Sequence, residues 1–441
     1  MRATNRPILQ PPPEHSFIDE NKFTLMEIVF INENYFNHHR VLSFHMRKEV
    51  IREGYLDKLR SGKDLTDVVK VVTGMRRVGK STLLDQYIAS LISGGVDPKD
   101  IVKMNLETFE FGDIDTSDKL DRTLLERIGE GGRKYVFLDE IQNVGGWERS
   151  VSRLINTGRC DVYVTGSNSK LLSSELATHI AGRFVEIAVL PLSFPEYLEL
   201  HPGDAERRFS EYLRFGALPE VDPSRGEEFC RAQLTGIFNT VLVDDVLARL
   251  GTGDANTLRS VARFLYGNIG NITNTDMVAK ALRIGPVTVN RYVGKLEEAF
   301  LIHRAERYDI IGKRILKTNA KIYASDLGLR NAVLVGAEGT DISRPLENVV
   351  YLELLRRGYA VRIGSYRGRE IDFTAVRNGR VEYYQVCLSM MSPETREREL
   401  RPLSSVGDNF PKTILTADRL GLGTESGIEV ANVTDWLAGV E

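Results

Sequence analysis

One segment of the chain reads Gly74-Met75-Arg76-Arg77-Val78-Gly79-Lys80-Ser81. It fits the pattern G-x-x-x-x-G-K-[ST], and it stands between an apolar run at 68–72 and a helix-forming run at 82–88. This order of strand, glycine-containing loop and helix is typical of an anion site. The backbone N–H groups of the loop and the positive N-terminus of the helix then face the anion. The segment therefore predicts a phosphate-binding loop, although eight residues taken alone could match by chance in a glycine-rich turn.

The side chains of this loop have different expected roles. Lys80 supplies a point charge to the phosphate oxygens, and Ser81 supplies a hydroxyl ligand for Mg²⁺. The two glycines allow the backbone to bend so that successive N–H groups face the phosphates. The residues expected to surround a bound nucleotide are Gly74, Arg76, Arg77, Val78, Gly79, Lys80, Ser81 and Thr82.

Two carboxylates directly follow the apolar run at 135–138. Asp139 and Glu140 thus stand at the carboxyl end of a predicted buried strand, where parallel α/β sheets place their functional groups. We expect Asp139 to hold the Mg²⁺ shell, directly or through water, and Glu140 to orient or deprotonate the attacking water.

A further strand at 161–165 leads to Asn168, which is a candidate for sensing the γ-phosphate or positioning water. A turn rich in Gly, Ser and Asn is the alternative there.

Composition and charge exclude several classes of protein. The chain has 441 residues, of which 42% are apolar, and a net charge of −3. It can therefore build about two to four domains with cores, and any contact with nucleic acid must come from a local patch. Cys160, Cys230 and Cys387 lie far apart, which fits a reducing cytosol better than a disulfide framework or a zinc site. No long apolar run or leader pattern is present, so we expect a cytoplasmic protein without membrane contact.

Several further runs carry a resemblance to a known family. They are Leu138 to Gln142 with Trp147-Glu148, Thr165 to Ser169, Ala181-Gly182-Arg183, and Leu190 to Phe194 with Glu196. Together with the phosphate loop, they resemble a family of prokaryotic AAA+-type P-loop ATPases that is related to the archaeal ATPases and carries a C-terminal region of unknown function. The resemblance extends from about Met46 to about Thr416, and it implies an enzyme that hydrolyses ATP with Mg²⁺.

The resemblance also implies how the site is completed. In related ATPases the two motif-bearing strands flank a central strand, and we expect this order here. Arg183 resembles the Gly-Arg of this family and follows a helical run at 170–179, which implies an arginine finger that acts on a neighbouring subunit. We therefore expect a homo-oligomer, such as a ring. A salt bridge from Arg183 to a carboxylate such as Glu186 is the alternative.

Pattern and spacing divide the chain into five predicted parts. The fold class is α/β, because strands alternate with helices around the phosphate loop. The N-terminal extension is proline-rich, and proline disfavours regular structure. The parts are this extension at 1–46, a P-loop ATPase core with a parallel sheet at 47–190, a helical lid at 191–255, a winged-helix domain at 256–335 and an α/β nuclease-like domain at 336–441.

The winged helix is predicted from three short helical runs that start near Val261, Asp276 and Pro286. Pro286 suits the first position of a helix. Between Lys280 and Lys321 the chain has ten Lys or Arg against four acids, an excess that could neutralise DNA phosphates. A rigid adaptor between domains is the alternative to a DNA-binding role.

The last part resembles the restriction-endonuclease-like fold with its Asp and Glu-x-Lys signature. Glu347 on a predicted helix and Asp372 on a predicted strand match the signature. Gln385 stands where the second acid belongs and Cys387 where the lysine belongs, so the motif provides no ammonium. We therefore expect weak metal binding, no cleavage, and a surface that binds DNA or a protein partner.

These patterns lead to one principal prediction and two alternatives. The principal prediction is a Mg²⁺-dependent ATPase whose nucleotide state sets the arrangement of its C-terminal half, in association with DNA or an unidentified protein. The first alternative is a nucleotide-gated binding protein with negligible hydrolysis. The second is a metal-dependent DNA nuclease that uses Glu347 and Asp372.

Overall fold

The computed structural model describes residues 49–439, with gaps at 173–179, 181, 249, 251–252 and 335–341. The described residues belong to one structural unit, Lys48–Glu441, while a second unit, Met1–Arg47, lies outside them. The predicted N-terminal extension and most of the helix predicted at 170–179 therefore fall outside the described residues.

A parallel sheet organises the first part of the chain. Its five strands are β1 (Val69–Thr73), β2 (Ile101–Asn105), β3 (Lys134–Asp139), β4 (Cys160–Gly166) and β5 (Phe184–Ala188). Their order across the sheet is β2-β3-β4-β1-β5, and every neighbouring pair is parallel. β4 thus separates β1 from β3, which confirms the prediction that the motif-bearing strands flank a central strand. Since these strands are parallel, the residues that follow β1, β3 and β4 meet at one edge.

Both faces of this sheet are covered. β1 and β4 are buried along their whole length, as expected for central strands of a parallel sheet. Successive side chains point to opposite faces, so Val71 belongs to one hydrophobic core and Val72 to the other. The covering helices are α1 (Glu53–Ser61), α2 (Lys80–Ser93), α3 (Ser117–Ile128) and α4 (Trp147–Asn156).

Helices replace strands after β5. They are α5 (Phe194–Leu200), α6 (Ala205–Phe215) and α7 (Glu227–Thr240), and α7 continues into a π-helix at Val241–Leu247. Ser193 and Glu196 form a capping box at the start of α5, and Asp204 caps α6. The structure is therefore helical where the lid was predicted, but the π-helix was not foreseen.

Three helices and a hairpin come next. They are α8 (Ala255–Gly267), the short strand β6 (Ile272–Thr273), α9 (Thr275–Leu282), α10 (Pro286–Glu298), β7 (Ile302–Asp309) and β8 (Arg314–Ala324). Pro286 occupies the first turn of α10, and Val289, Tyr292, Val293 and Leu296 are buried on one face of that helix. This is the element order expected for a winged helix.

The remaining elements form an α/β region. They are α11 (Leu327–Val333), α12 (Ser343–Arg356), β9 (Ala360–Tyr366), β10 (Arg369–Arg377), β11 (Arg380–Cys387), α13 (Pro393–Ser405), β12 (Lys412–Thr416), β13 (Gly423–Glu425), β14 (Ile428–Asn432) and α14 (Val433–Ala438). β7 pairs in parallel with β9, so the hairpin and the later strands share one nine-stranded sheet in the order β13-β14-β12-β11-β10-β9-β7-β8-β6. This shared sheet was not predicted from the sequence, and the boundaries of the five parts remain predictions.

The described helices were also compared with the thickness of a bilayer. Within residues 49–439 and outside the gaps given above, no helix is long and apolar enough to cross a membrane.

Candidate functional site

The phosphate loop has a backbone that requires its glycines. Gly74 has a φ of 146°, and a Cβ atom there would lie 2.4 Å from the carbonyl oxygen of Val189. Gly79 has a φ of 92°, in the left-handed region that other residues rarely adopt. The loop therefore closes against β5 only with glycine at position 74.

The N-terminus of α2 directly follows this loop. The first N–H groups of any helix have no acceptor within the helix. Gly79 precedes α2 and provides no side-chain cap for them. These groups carry the positive end of the helix dipole. Their position agrees with the anion site that the sequence predicts around Lys80, Ser81 and Thr82.

Lys80 is buried at the centre of the site. The residue is only 4% exposed, and its Nζ donates to the carbonyl oxygens of Gly74 (3.1 Å) and Met75 (3.2 Å). Glu140 Oε1 lies 3.7 Å from the same nitrogen. Burial lowers the pKa of Lys80, and the nearby carboxylates, Glu140 first, oppose this effect only in part.

Asp139 ends β3 beneath the loop and is fully buried. One carboxylate oxygen accepts a hydrogen bond from the hydroxyl of Thr165 on β4. Burial raises the pKa of Asp139, while hydrogen bonding from Thr165 and Ser81 acts in the opposite direction. Among the described residues the other oxygen, Oδ2, has no hydrogen-bond partner. A buried carboxylate oxygen without a donor, next to a Ser hydroxyl, fits an oxygen-ligand site for Mg²⁺.

Glu140 adopts a strained backbone conformation. Its φ and ψ are 53° and 46°, in the left-handed region, and its N–H donates to Thr165 Oγ1 over 2.9 Å. Such a conformation costs about 1 to 3 kcal/mol in a residue other than glycine and clusters at functional sites. The Gln142 amide donates to the Glu140 carboxylate. Glu140 is thus held in a defined position beside Lys80.

A lid residue that the sequence analysis missed also enters the site. Asp245 lies on the π-helix and is 2% exposed. Its Oδ2 accepts from Arg76 Nε (3.2 Å), and its Oδ1 accepts from Ser167 Oγ (3.3 Å). Gln142 Nε2 lies 3.4 Å from the same Ser167 hydroxyl, so polar contacts lead from Glu140 to the lid. An acidic residue in an apolar run carries no motif, and only the fold reveals its position.

The loop arginines are both paired with carboxylates. Arg76 also donates to Glu107 over 3.0 Å, beyond the end of β2. Arg77 is exposed and donates to Glu220 of the lid over 3.0 Å. The two arginines predicted to surround the nucleotide therefore connect the loop to the lid.

Arg52 was also missed by the sequence analysis. It precedes α1 and is buried, and its guanidinium donates to the carbonyl oxygens of Val78 in the loop (3.2 Å) and Leu190 after β5 (3.1 Å). The same guanidinium binds Glu196 at 2.9 Å. Arg52 thus fixes the phosphate loop to the start of the lid, but a single Arg before a helix has no recognisable signature.

We predict that Arg52→Ala lowers the free energy of unfolding by about 3 to 5 kcal/mol, because it leaves Glu196 and several carbonyl oxygens without a buried partner. Arg60→Ala is the control, since Arg60 pairs with Glu53 and Asp57 at the surface. That change should lower stability by less than about 1 kcal/mol. Urea denaturation of both variants measures the difference, and equal effects would contradict the role given to Arg52.

Arg183 lies away from the phosphate loop of its own chain. Its carbonyl oxygen accepts from the N–H of Val69, which places it at the amino end of β1, whereas Lys80 follows the carboxyl end. The five residues of β1 span about 17 Å. The guanidinium donates to Ile180 O and Asn156 Oδ1, each over 3.1 Å. The alternative salt bridge between the described side chains of Arg183 and Glu186 does not form.

Asn168 lies where the sequence analysis expected it. It follows the end of β4 next to Ser167, and it is buried. The structure thus brings the phosphate loop, Asp139, Glu140 and the Asn168 segment to one edge of the sheet. It does not bring Arg183 there.

A second polar cluster lies between β8, β10 and α12. Lys321 Nζ is 2.8 Å from Glu347, 2.7 Å from Glu370 and 3.6 Å from Asp372. Gln385 accepts a hydrogen bond from the N–H of Asp372. The motif itself provides no ammonium, but Lys321 brings one into the cluster from β8, a strand outside the motif.

The single ammonium of this cluster faces three carboxylates, and burial shifts the pKa values of the cluster further. Burial raises the pKa of Asp372 to about 8, with Glu347 acting in the same direction and Lys321 against it. Burial alone would lower the pKa of Lys321, but the surrounding carboxylates raise it above its ordinary value. Among the described residues, no group of three or more His, Cys, Asp or Glu is arranged to hold a metal ion.

Known proteins similar to this chain identify its family. Residues 66–198 match a family described as an AAA domain, and residues 206–340 match a domain of unknown function. An uncharacterized protein of Haemophilus influenzae is 39% identical over 404 residues, which cover 89% of this chain and 100% of that protein. The chain belongs to the same family. An uncharacterized protein of Methanocaldococcus jannaschii is 28% identical over 399 residues, which cover 82% of this chain and 86% of the relative.

Similarity to solved structures is weak. Drosophila ORC bound to DNA aligns with a TM-score of 0.29 and 11% identity, covering 75% of this chain and 96% of that chain. A Thermotoga maritima protein related to the γ subunit of DNA polymerase III aligns with a TM-score of 0.25 and 10% identity, covering 56% and 99%. Scores this low support no argument about function.

The AAA match covers the phosphate loop, Asp139, Glu140 and Asn168. It confirms that the first part of the chain is an AAA-type, nucleotide-binding P-loop domain. The matched region after it is known only as a domain of unknown function. The roles of individual residues remain predictions.

Proposed function

We propose that this protein is a Mg²⁺-dependent ATPase that couples the state of its nucleotide to the arrangement of its C-terminal half. The observation that supports this most is the convergence of Lys80, Asp139 and Glu140 at one edge of the parallel sheet. An ammonium, a buried carboxylate and a positioned carboxylate provide phosphate binding, metal binding and water activation.

Each residue of the site has a distinct task. Lys80 and the first N–H groups of α2 bind the phosphates of ATP. Asp139, directly or through water, and the Ser81 hydroxyl would hold Mg²⁺, which would neutralise charge on the phosphate oxygens. Glu140 orients or deprotonates the attacking water, with its backbone fixed by Thr165 and its carboxylate by Gln142. Asn168 senses the γ-phosphate or positions the water.

We predict that Lys80→Ala reduces phosphate release on the order of 10²-fold or more, because the transferred phosphoryl group loses its main charge partner. Glu140→Gln should retain ATP affinity but lower turnover on the order of 10² to 10⁴-fold, as expected for loss of a general base. Phosphate release and calorimetric titration with MgATP measure the two effects. Lys58→Ala, at an exposed position of α1, is the control and should behave as wild type.

Two results would separate the alternatives. Turnover of Glu140→Gln at the wild-type rate would contradict its role with water. A wild-type protein that binds MgATP but releases no phosphate, with or without DNA, would instead favour the nucleotide-gated binding protein.

The arginine finger is a further part of the proposal. Arg183 is about one strand length from Lys80 in the same chain, so its guanidinium can act only on the nucleotide of a second subunit. Its neighbours Ile180 O and Asn156 Oδ1 are neutral, so among the described residues the guanidinium forms no ion pair with a carboxylate. A neighbouring subunit that presents phosphate would supply the missing anion, and hydrolysis would then depend on a homo-oligomer.

We predict that Arg183→Ala lowers turnover on the order of 10³-fold, while ATP affinity stays near wild type. A mixture of Arg183→Ala with Lys80→Ala should recover activity, because one variant supplies an intact loop and the other supplies the finger. Phosphate release is measured for each variant alone and for the mixture at equal total protein. A mixture no more active than the sum of its components would show that the finger does not act between subunits.

A path of buried contacts supports coupling to the C-terminal half. Arg52 binds Val78 of the loop and the carbonyl oxygens of Leu190 and Pro191. Arg356 on α12 donates to Pro191 O over 3.0 Å. The turn after β5 is therefore held from both sides, by a residue that contacts the phosphate loop and by the helix that carries Glu347.

DNA is the partner that the charge pattern favours, with α8 to α10 and the β7–β8 hairpin acting as a winged helix. Basic side chains exposed on or directly beside these elements include Lys280, Arg283, Arg291, Lys313 and Arg314, and Arg259, Arg263 and Arg304 are exposed there as well. Lys280 lies on α9 and Arg283 directly follows it, Arg291 lies on α10, and Lys313 and Arg314 lie at the turn between β7 and β8. These are the parts with which a winged helix contacts a duplex. A protein partner or an adaptor role is the alternative, and the shared nine-stranded sheet is compatible with it.

We predict that DNA binding weakens steeply with salt, and that Arg291→Ala and Lys313→Ala each reduce the slope of log affinity against log salt by about one. Mobility-shift titrations at two salt concentrations measure the slope. Arg122→Ala is the control, since Arg122 is exposed on α3 far from these elements in sequence. A protein that shifts no DNA at low salt would favour the protein partner.

A further inference from the structure

Asp245 is the feature of the nucleotide site that the proposed roles do not explain. It is a buried carboxylate of the lid, within a site whose expected ligand is a polyphosphate. A carboxylate and a phosphate repel each other, so a negative side chain at this point opposes binding unless a cation lies between them. That cation is Arg76, which donates to Asp245 Oδ2.

Arg76 also belongs to the loop that would bind the phosphates. It stands between Gly74 and Gly79, and both Arg76 and Asp245 lie close enough to Lys80 to influence its pKa. Glu140 in turn contributes to the raised pKa of Arg76. The guanidinium therefore lies between the phosphate-binding loop and the carboxylate of the lid.

A chain of hydrogen bonds connects Asp245 to Glu140, the carboxylate proposed to act on the attacking water. Ser167 donates to Asp245 and is contacted by Gln142, whose amide donates to Glu140. Asp245 lies on a π-helix. This conformation is rare in proteins, and where it occurs it is frequently part of a functional site. One lid residue is thus linked to the loop on one side and to the water-positioning carboxylate on the other.

We infer that Asp245 competes with the phosphates of the nucleotide for Arg76, so that binding of ATP transfers the guanidinium from the lid to the nucleotide and releases the π-helix. Asp245 is then a positioning residue, which sets nucleotide affinity and reports occupancy to the lid. The inference rests on the proposed function, because it requires nucleotide binding at this loop.

The competition can be tested by neutralising Asp245. Asp245→Asn keeps the shape of the side chain but removes the charge that opposes phosphate, so the Kd for MgATP and for MgADP should fall about tenfold. Arg76→Gln breaks the same ion pair from the loop side, and it should raise both Kd values. If the ion pair had a purely structural role, Asp245→Asn and Arg76→Gln would change the affinity for nucleotide in the same direction.

Asp244→Asn is the matched control. It removes the same charge one residue away, at an exposed position of the same π-helix. Its Kd should change by less than about twofold, because solvent screens that charge. Calorimetric titration of the full chain gives both Kd values for wild type and for the three variants, and thermal unfolding verifies that each variant is folded.

The outcomes separate this inference from the proposed function. If wild type does not bind MgATP, the proposed function fails. If wild type binds and hydrolyses ATP but Asp245→Asn binds no more tightly than Asp244→Asn, only the competition is wrong. If the Asp245→Asn variant does not fold, the test is amide hydrogen exchange of Val241–Leu247 in the wild-type protein, measured with and without MgATP. Exchange should rise when MgATP is added, and unchanged or slower exchange would overturn the inference.

Discussion

The burial of the Lys80 ammonium determines the chemistry of the nucleotide site. A charge withdrawn from water is stable only with several polar partners around it. Lys80 finds them in two carbonyl oxygens of its own loop and in Glu140 at the end of β3. These partners meet because β1 and β3 are parallel and flank β4, whose Thr165 hydroxyl links Asp139 to the backbone of Glu140. The strand order therefore shapes the site as much as the sequence motif does.

The parts of the fold that were predictable are those with local causes. Gly74 and Gly79 mark the loop because its backbone needs positive φ angles, and Pro286 marks the start of a helix because it has no N–H to donate. Apolar runs at 68–72, 135–138 and 161–165 located β1, β3 and β4 to within about one or two residues. These features depend on short segments, so the sequence alone carries them.

The missed residues have tertiary causes. Arg52, Asp245 and Lys321 reach their partners over separations of 26 to 169 residues, and nothing in the neighbouring sequence marks any of them. The pairing of β7 with β9 is also non-local, and it joins two regions that periodicity alone predicts as separate domains. Lys321 adds a second link across this boundary, because it lies on β8 and binds Glu347 on α12. The hairpin and the last α/β region are therefore joined both by strand pairing and by an ion pair.

The two buried lysines differ in a way that distinguishes their sites. Burial dominates at Lys80 and lowers its pKa, so the nearby carboxylates compensate its charge incompletely. At Lys321 burial also opposes the charge, but Asp372, Glu347 and Glu370 outweigh it and raise the pKa. An additional anion would stabilise the first ammonium, whereas at the second it would meet an excess of negative charge. Electrostatics thus favours a phosphate beside Lys80 and disfavours one beside Lys321. The second polar cluster, around Lys321, is for this reason better suited to join β8, β10 and α12 than to bind a phosphodiester.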